Sequence, residues 1–152
     1  MLGFIGKYLY SVDEKGRVNL PSKFRKMTKG KMYVLSRGLE NCLFVFPKSR
    51  WSQYVKSFMP MTFAKKADRD FFRLLGFNTE SVLLDDQGRV KIREDFMEYA
   101  GLKKEVLLIG VMDHIEIWDP DRWESYQKGI EKSYSELAEE ALSKVNLSDY
   151  IE

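Results

Sequence analysis

The sequence predicts an α+β fold built from two tandem copies of one strand-and-helix unit, with mainly antiparallel pairing. Three observations predict it. The stretch Asp13-Glu14-Lys15-Gly16-Arg17-Val18 returns as Asp85-Asp86-Gln87-Gly88-Arg89-Val90, an offset of 72 residues. The offset continues without gaps, with Phe24 on Phe96, Val34-Leu35 on Val106-Leu107, Gly38 on Gly110, Arg50-Trp51 on Arg122-Trp123 and Tyr54 on Tyr126. Each copy also reads as strand, strand, short helix, strand, strand, helix, an order that suits an antiparallel sheet with segregated helices. Two copies are too few for an open solenoid with separate caps, so halves closing on one core as a small barrel are expected.

The elements follow in order. Tyr8 to Val12 and Arg17 to Leu20 read as strands joined by a bulged hairpin turn in which Gly16 takes a positive φ. Leu83-Leu84 and Arg89 to Ile92 repeat that hairpin around Gly88. Short helical pieces follow at Pro21 to Met27 and Arg93 to Tyr99, the first opened by a proline whose missing N–H costs little there. Met32 to Ser36 and Cys42 to Phe46 read as strands around a turn, as do Val106 to Val111 and Ile115 to Trp118. Helical spacing begins at Ser49, with Trp51, Tyr54 and Phe58 on one face, and at Asp121, with Trp123, Tyr126, Ile130 and Leu137. Met59-Pro60-Met61 interrupts the first helix, a second piece spans about Phe63 to Leu75, and the last helix is expected to run unbroken to about Asn146. The organisation is one compact domain over 1–152: repeat 1 at 5–58, a helical connector at 59–76, and repeat 2 with its C-terminal helix at 77–146.

With 152 residues, 44% of them hydrophobic, the chain can bury a full core and has the usual length of a single domain. The opening residues lack a signal-peptide pattern and no run of about 18 apolar residues occurs, so a soluble intracellular protein is expected. A single cysteine, Cys42, excludes an internal disulfide, and a single histidine, His114, leaves too few soft ligands for a usual zinc site. These two fall on equivalent positions of the copies, a structural reason for both that competes with a nucleophile and its base. No cofactor, metal or small-molecule substrate is expected.

The net charge of +2 conceals a split: residues 1 to 76 carry a net +11 and residues 77 to 152 a net −9. A basic half can neutralise phosphates and steer polyanions, although charge of this kind also serves solubility or subunit pairing. Within the D-x-x-x-R repeat, Asp13 can accept turn N–H bonds while orienting Arg17, and Asp85 can do the same for Arg89. An arginine so held can present its planar fork to guanine O6 and N7, or the ion pair can simply pin a turn. Around Arg17 the sequence gathers Lys7, Lys15, Lys23, Arg25, Lys26, Lys29 and Lys31, against only Arg89, Lys91, Arg93, Lys103 and Lys104 in copy two. The expected DNA contacts are thus Arg17, Lys15, Lys7, Lys23, Arg25 and Lys26, with Asp13, Gly16, Asp85, Gly88 and Arg89 as the structural frame. The lysines would set affinity and salt dependence, the oriented arginine discrimination.

The segments Lys15 to Arg25 (KGRVNLPSKFR), Asp85 to Val90 (DDQGRV), Glu98 to Leu102 (EYAGL) and Glu116 to Tyr126 (EIWDPDRWESY) together resemble the MraZ family over nearly the whole chain. The resemblance implies two tandem AbrB-like swapped-hairpin modules forming one pseudo-twofold, double-psi-like β-barrel with peripheral helices. It implies a cytoplasmic, nucleoid-associated bacterial regulator, commonly a repressor, that assembles as a ring homo-oligomer. Such regulators bind G-rich direct repeats in double-stranded promoter DNA of the division and cell-wall operon that contains their own gene. The chain departs from the family pattern at Ile92-Arg93-Glu94-Asp95, where a proline-rich entry is usual, and at Met97, where a basic residue is common, which bears against a DNA role for Arg89. The connector Phe71 to Phe77 is also more apolar than the family's. Other classes compete: a non-specific nucleoid or RNA binder, which phosphate attraction alone would allow, and a protein-interaction or assembly module using the aromatic helices. No nucleophile elbow, phosphate loop or metal spacing supports an enzyme.

Overall fold

The computed structural model describes residues 3–58, 60 and 63–146, and the chain divides into two units, Met1–Pro120 and Asp121–Glu152. Unit one holds, in order, β1 (Lys7–Ser11), β2 (Arg17–Asn19), α1 (Ser22–Arg25), β3 (Met32–Arg37), β4 (Leu43–Pro47), α2 (Lys48–Lys56), α3 (Lys66–Phe77), β5 (Thr79–Leu83), β6 (Arg89–Lys91), α4 (Glu94–Ala100), β7 (Glu105–Val111) and β8 (His114–Trp118). Unit two holds α6 (Tyr134–Leu142) and all but the first residue of α5 (Pro120–Gly129).

The strands of each copy are shared with the other. β1 of copy one pairs antiparallel with β7 of copy two, and β5 of copy two with β3 of copy one. β2 and β6 form a separate two-stranded antiparallel ribbon, Val18 opposite Val90. This corrects the hairpins expected from sequence. Only the turn itself closes locally, with the Asp13 N–H donating to the Arg17 carbonyl at 2.9 Å. The flanking backbone is claimed by the other copy: Val12 N–H donates to Lys104 O, Leu20 N–H to Gly88 O, and Ile92 N–H to Gly16 O. The larger sheet has the order β1-β7-β8-β4-β3-β5. No ladder among the described residues joins β1 to β5, so the hydrogen-bonded sheet is open where a closed barrel was expected.

The ungapped offset also needs correcting within the sheet. It holds from Asp13 through Phe24, and β2 and β6 match residue for residue. In β3, however, the core positions are Tyr33 and Leu35, and in β7 they are Val106 and Leu108. Leu35 is therefore equivalent to Leu108, one place beyond the ungapped match, and Val34 is not equivalent to Val106. The frame is restored in β4 and β8, where Leu43 faces Ile117 and Val45 faces Ile115. Copy two has its extra residue before β7. Copy one has its own in the following turn, where Leu39-Glu40-Asn41 stand between Gly38 and Cys42, against Met112-Asp113 between Val111 and His114.

The core lies between the sheet, the ribbon and helices α1 and α4. Val18 and Val90 point into it from the ribbon, and the equivalent Phe24 and Phe96 from the two short helices, all essentially fully buried. Phe24 meets Phe4 edge-on at 5.4 Å and Tyr8 edge-on at 5.3 Å, a preferred arrangement of aromatic quadrupoles. Burying each such ring contributes about 1.5–3 kcal/mol. α4 stops at Gly101, which takes the left-handed conformation (φ 61°) that glycine reaches without penalty.

The expected interruption at Met59-Pro60-Met61 falls where only Pro60 is described. The last helix is not continuous: α5 ends at Gly129, and α6 starts afresh where Ser133 Oγ accepts the Glu136 N–H at 3.2 Å. Ser133-x-x-Glu136 is a capping-box sequence, and such a cap fixes a new helix start.

Candidate nucleic-acid interface

The β2–β6 ribbon has one face in the core and one outside, because side chains alternate along a strand. Val18 and Val90 take the inner positions. Arg17 and Asn19 of β2, and Arg89 and Lys91 of β6, take the outer ones, with Arg17 opposite Lys91 and Asn19 opposite Arg89. The outer face thus shows three cations and one amide, from both copies.

The two turns hold their arginines in the same way. Asp13 Oδ1 accepts the backbone N–H of Lys15 at 2.9 Å and of Arg17 at 2.8 Å, while Oδ2 accepts Arg17 Nε–H at 2.7 Å. Asp85 Oδ1 accepts from Gln87 at 2.9 Å and Arg89 at 3.0 Å, and Oδ2 accepts Arg89 Nε–H at 2.7 Å. The backbone bond from its arginine, then that arginine's side chain, hold each aspartate's pKa below its ordinary value. Both carboxylates are therefore charged at neutral pH and anchor each guanidinium through Nε. Gly16 and Gly88 both have φ 76°, as the turn requires.

The copies differ in what surrounds this frame. Arg89 also reaches Asp13 Oδ2 through Nη1 at 3.6 Å, and its side chain is 20% exposed against 30% for Arg17. Arg25 donates from Nε to Leu20 O at 3.1 Å and lies over the turn of copy two, within 2.6 Å of where a Cβ on Gly88 would sit. Lys31 pairs with Asp86 at 3.5 Å. Cations of copy one thus stand on the turn of copy two.

Of the sequence-expected contacts, Arg17 and Lys15 lie on the ribbon or its turn, and Lys23, Arg25 and Lys26 on or just after α1, all exposed but Arg17, which is half-buried. Lys7 opens β1, about 13 Å of strand before the turn, and is not gathered with them. Lys7, Lys15, Lys23, Lys26 and Lys91 have no carboxylate within 4.0 Å among the described residues. Sequence reading missed Asn19 and assigned Lys91 to the weaker copy. The readable signal was the matched R-V-N and R-V-K, whose central valines mark the flanking residues as outward.

Cys42, just before β4, and His114, at the start of β8, are equivalent positions, and their roles differ. Cys42 is a free, buried thiol whose pKa is pushed up to about 12 by burial and by Glu116, which leaves it without thiolate character. His114 sits between Glu116 (Nε2 to Oε2, 2.9 Å) and Asp113 (Nδ1 to Oδ1, 2.8 Å) and stacks on Phe46 at 5.0 Å. Among the described residues no group of three His, Cys, Asp or Glu could hold a metal ion, and no helix is long and apolar enough to cross a membrane.

Comparison with known proteins agrees with the duplication. The family model described as "MraZ protein, putative antitoxin-like" matches twice, over residues 4–74 and 76–145. The chain is 41% identical over 136 residues to a protein of Acetivibrio thermocellus, covering 90% of this chain and 94% of that one. It is 38% identical over 137 residues to one of Natranaerobius thermophilus (90% and 95%), and 40% identical over 140 residues to one of a Nocardioides species (91% and 96%). All three relatives are named "Transcriptional regulator MraZ". A twice-matched family model, one match to each copy of the D-x-x-x-R turn, and relatives of nearly the same length lead to one assignment: the chain belongs to the MraZ family.

Proposed function

We propose that this protein is a sequence-specific DNA-binding transcriptional regulator. The observation that carries the reading is the outer face of the β2–β6 ribbon: Arg17, Asn19, Arg89 and Lys91 on an antiparallel pair of strands. A two-stranded ribbon fits the B-DNA major groove, where arginine or lysine suits guanine O6 and N7, and asparagine suits adenine N6 and N7. Arg17 is the principal base reader because its carboxylate anchor leaves the fork fixed but less enclosed than that of Arg89. Lys15, Lys23, Arg25, Lys26 and Lys91 supply phosphate contacts that set affinity without reading sequence.

The finer reading extends the family resemblance. The protein acts as a repressor on the division and cell-wall operon containing its own gene, binds G-rich direct repeats near the promoter, and assembles as a ring in the cytoplasm, at the nucleoid. The two cross-paired copies form one domain that approximates a pseudo-twofold barrel, with the ribbon as its exposed end. Weak single contacts then add through effective concentration when neighbouring subunits meet neighbouring repeats.

The test is a titration against DNA from upstream of its own gene and against a scrambled duplex, at about physiological salt, where non-specific attraction is weakened. The expected result is a strong preference for the upstream DNA that Arg17→Ala abolishes with the fold intact. Equal binding to both duplexes would replace this reading with a general nucleoid or RNA binder.

A further inference from the structure

Among the described residues, two surfaces gather exposed apolar side chains. One is a groove of about 280 Å³ beside α3, lined by Leu39, Tyr54, Phe71, Leu74, Leu75 and Tyr99 among others. Its rim residues Leu39 and Leu74 are 71% and 61% exposed, far more than isolated surface leucines need explaining, because they adjoin a concave apolar floor. The other is one face of α6, where Tyr134, Leu137, Ala141 and Leu142 recur at helical spacing. Tyr134 is 90% exposed and Leu142 58%. A nine-residue helix is marginal in water without tertiary packing, so the stripe needs a partner surface.

The helix α6 and the groove-flanking helix α2 carry opposite charge. α6 carries Glu136, Glu139 and Glu140 and no cation, while α2, which supplies Tyr54 to the groove, carries Lys48, Arg50 and Lys56 and no acid. α3 carries Lys66, Arg69 and Arg73 against Asp68 and Asp70, with Arg73 3.7 Å from Asp70, a small excess of cations. Groove and helix are different surfaces, and a contact between two different surfaces of identical chains is head-to-tail, the type that closes into rings.

We propose that the apolar face of α6 docks into the Leu39–Leu74 groove of a second copy of this chain, its glutamates toward the cations of α2 and α3. This rests on the self-assembly proposed above and names the two surfaces that perform it. A helix laid in an apolar groove is a recurrent recognition mode, anchored at i, i+3 and i+7 positions.

The experiment measures molar mass by light scattering on the full chain without DNA, so its result is independent of whether the protein reads DNA. The wild type is expected as a multimer, and Leu74→Glu and Leu137→Glu are each expected as single chains. Mixed in equal amounts, the two variants keep one intact groove and one intact α6 between them, and a two-chain species should form. Far-UV circular dichroism checks folding, and Leu39→Asp replaces Leu74→Glu if the latter unfolds. A wild type of single-chain mass, a variant that keeps the wild-type mass, or a mixture that stays at one chain because α6 covers its own groove would each overturn the proposal.

Discussion

Gly16 and Gly88 share a φ of 76°, a conformation that costs about 1–2 kcal/mol for a residue with a side chain. A Cβ at Gly16 would come to 3.0 Å from Ile92 O, whereas one at Gly88 would strike the Arg25 guanidinium at 2.6 Å. Gly16→Ala should therefore lower stability in urea by about 1–2 kcal/mol, and Gly88→Ala should do so while also displacing Arg25, visible as a shifted Arg25 Nε–H resonance. His114 gives a second residue-scale prediction. Burial alone would lower its pKa, but the bonds to Glu116 and Asp113 outweigh that and raise it above 6.5. A raised folded pKa stabilises most below the unfolded value, and the contribution fades as pH rises through the folded one. The His114→Gln penalty should thus be largest below pH 6.5 and shrink as the pH rises above it, and an NMR titration should place the imidazole midpoint above 6.5. The aspartate–arginine geometry was legible in the sequence because it is local, four residues apart. The meeting of Arg25 with Gly88 was not, since nothing in a linear sequence brings residue 25 to residue 88.

At the scale of elements, β1 has its ladder in copy two and β5 has its ladder in copy one. Neither copy alone can satisfy its first strand or bury its ribbon valine. Fragments covering 1–76 and 77–152 should accordingly be unfolded separately by circular dichroism and gain structure when mixed, and a cooperatively folded isolated fragment would contradict the exchange. The strands were legible from their β-branched and aromatic runs and from the glycine turns, except β5, which was read only at Leu83-Leu84 and spans Thr79–Leu83. Their partners were not, because an aspartate turn between two strands has the same sequence whether the strands pair with each other or part. The one-residue slip in β3 was hidden for a related reason. Tyr33-Val34-Leu35 in β3 and Leu43 to Phe46 in β4 are apolar and buried at successive positions, so the alternation that normally fixes register is missing there. The break between α5 and α6 could have been read, from Gly129 followed by Ser133 and Glu136.

At the scale of the whole chain, the exchange of strands sets Arg25 and Lys31 of copy one on the turn of copy two, and among the described residues Lys15, Lys23, Lys26 and Lys91 have no carboxylate within 4.0 Å. Each phosphate contact releases counterions, so Lys15→Ala or Lys26→Ala should weaken all duplexes alike and reduce the slope of log K against log salt by about 0.9. An unchanged slope would remove that lysine from the contact surface. The fold class and the duplication were visible in the sequence, whereas the open sheet was not, since closure depends on whether two edge strands reach each other. Two identical hairpins brought together by association would face DNA with exact twofold symmetry and demand a palindrome. Here the two arms belong to one chain and differ, Arg17 opposite Lys91 at one end and Asn19 opposite Arg89 at the other. In the proposed function such a ribbon gives the contact a direction, so the protein is expected to tell one strand of its site from the other.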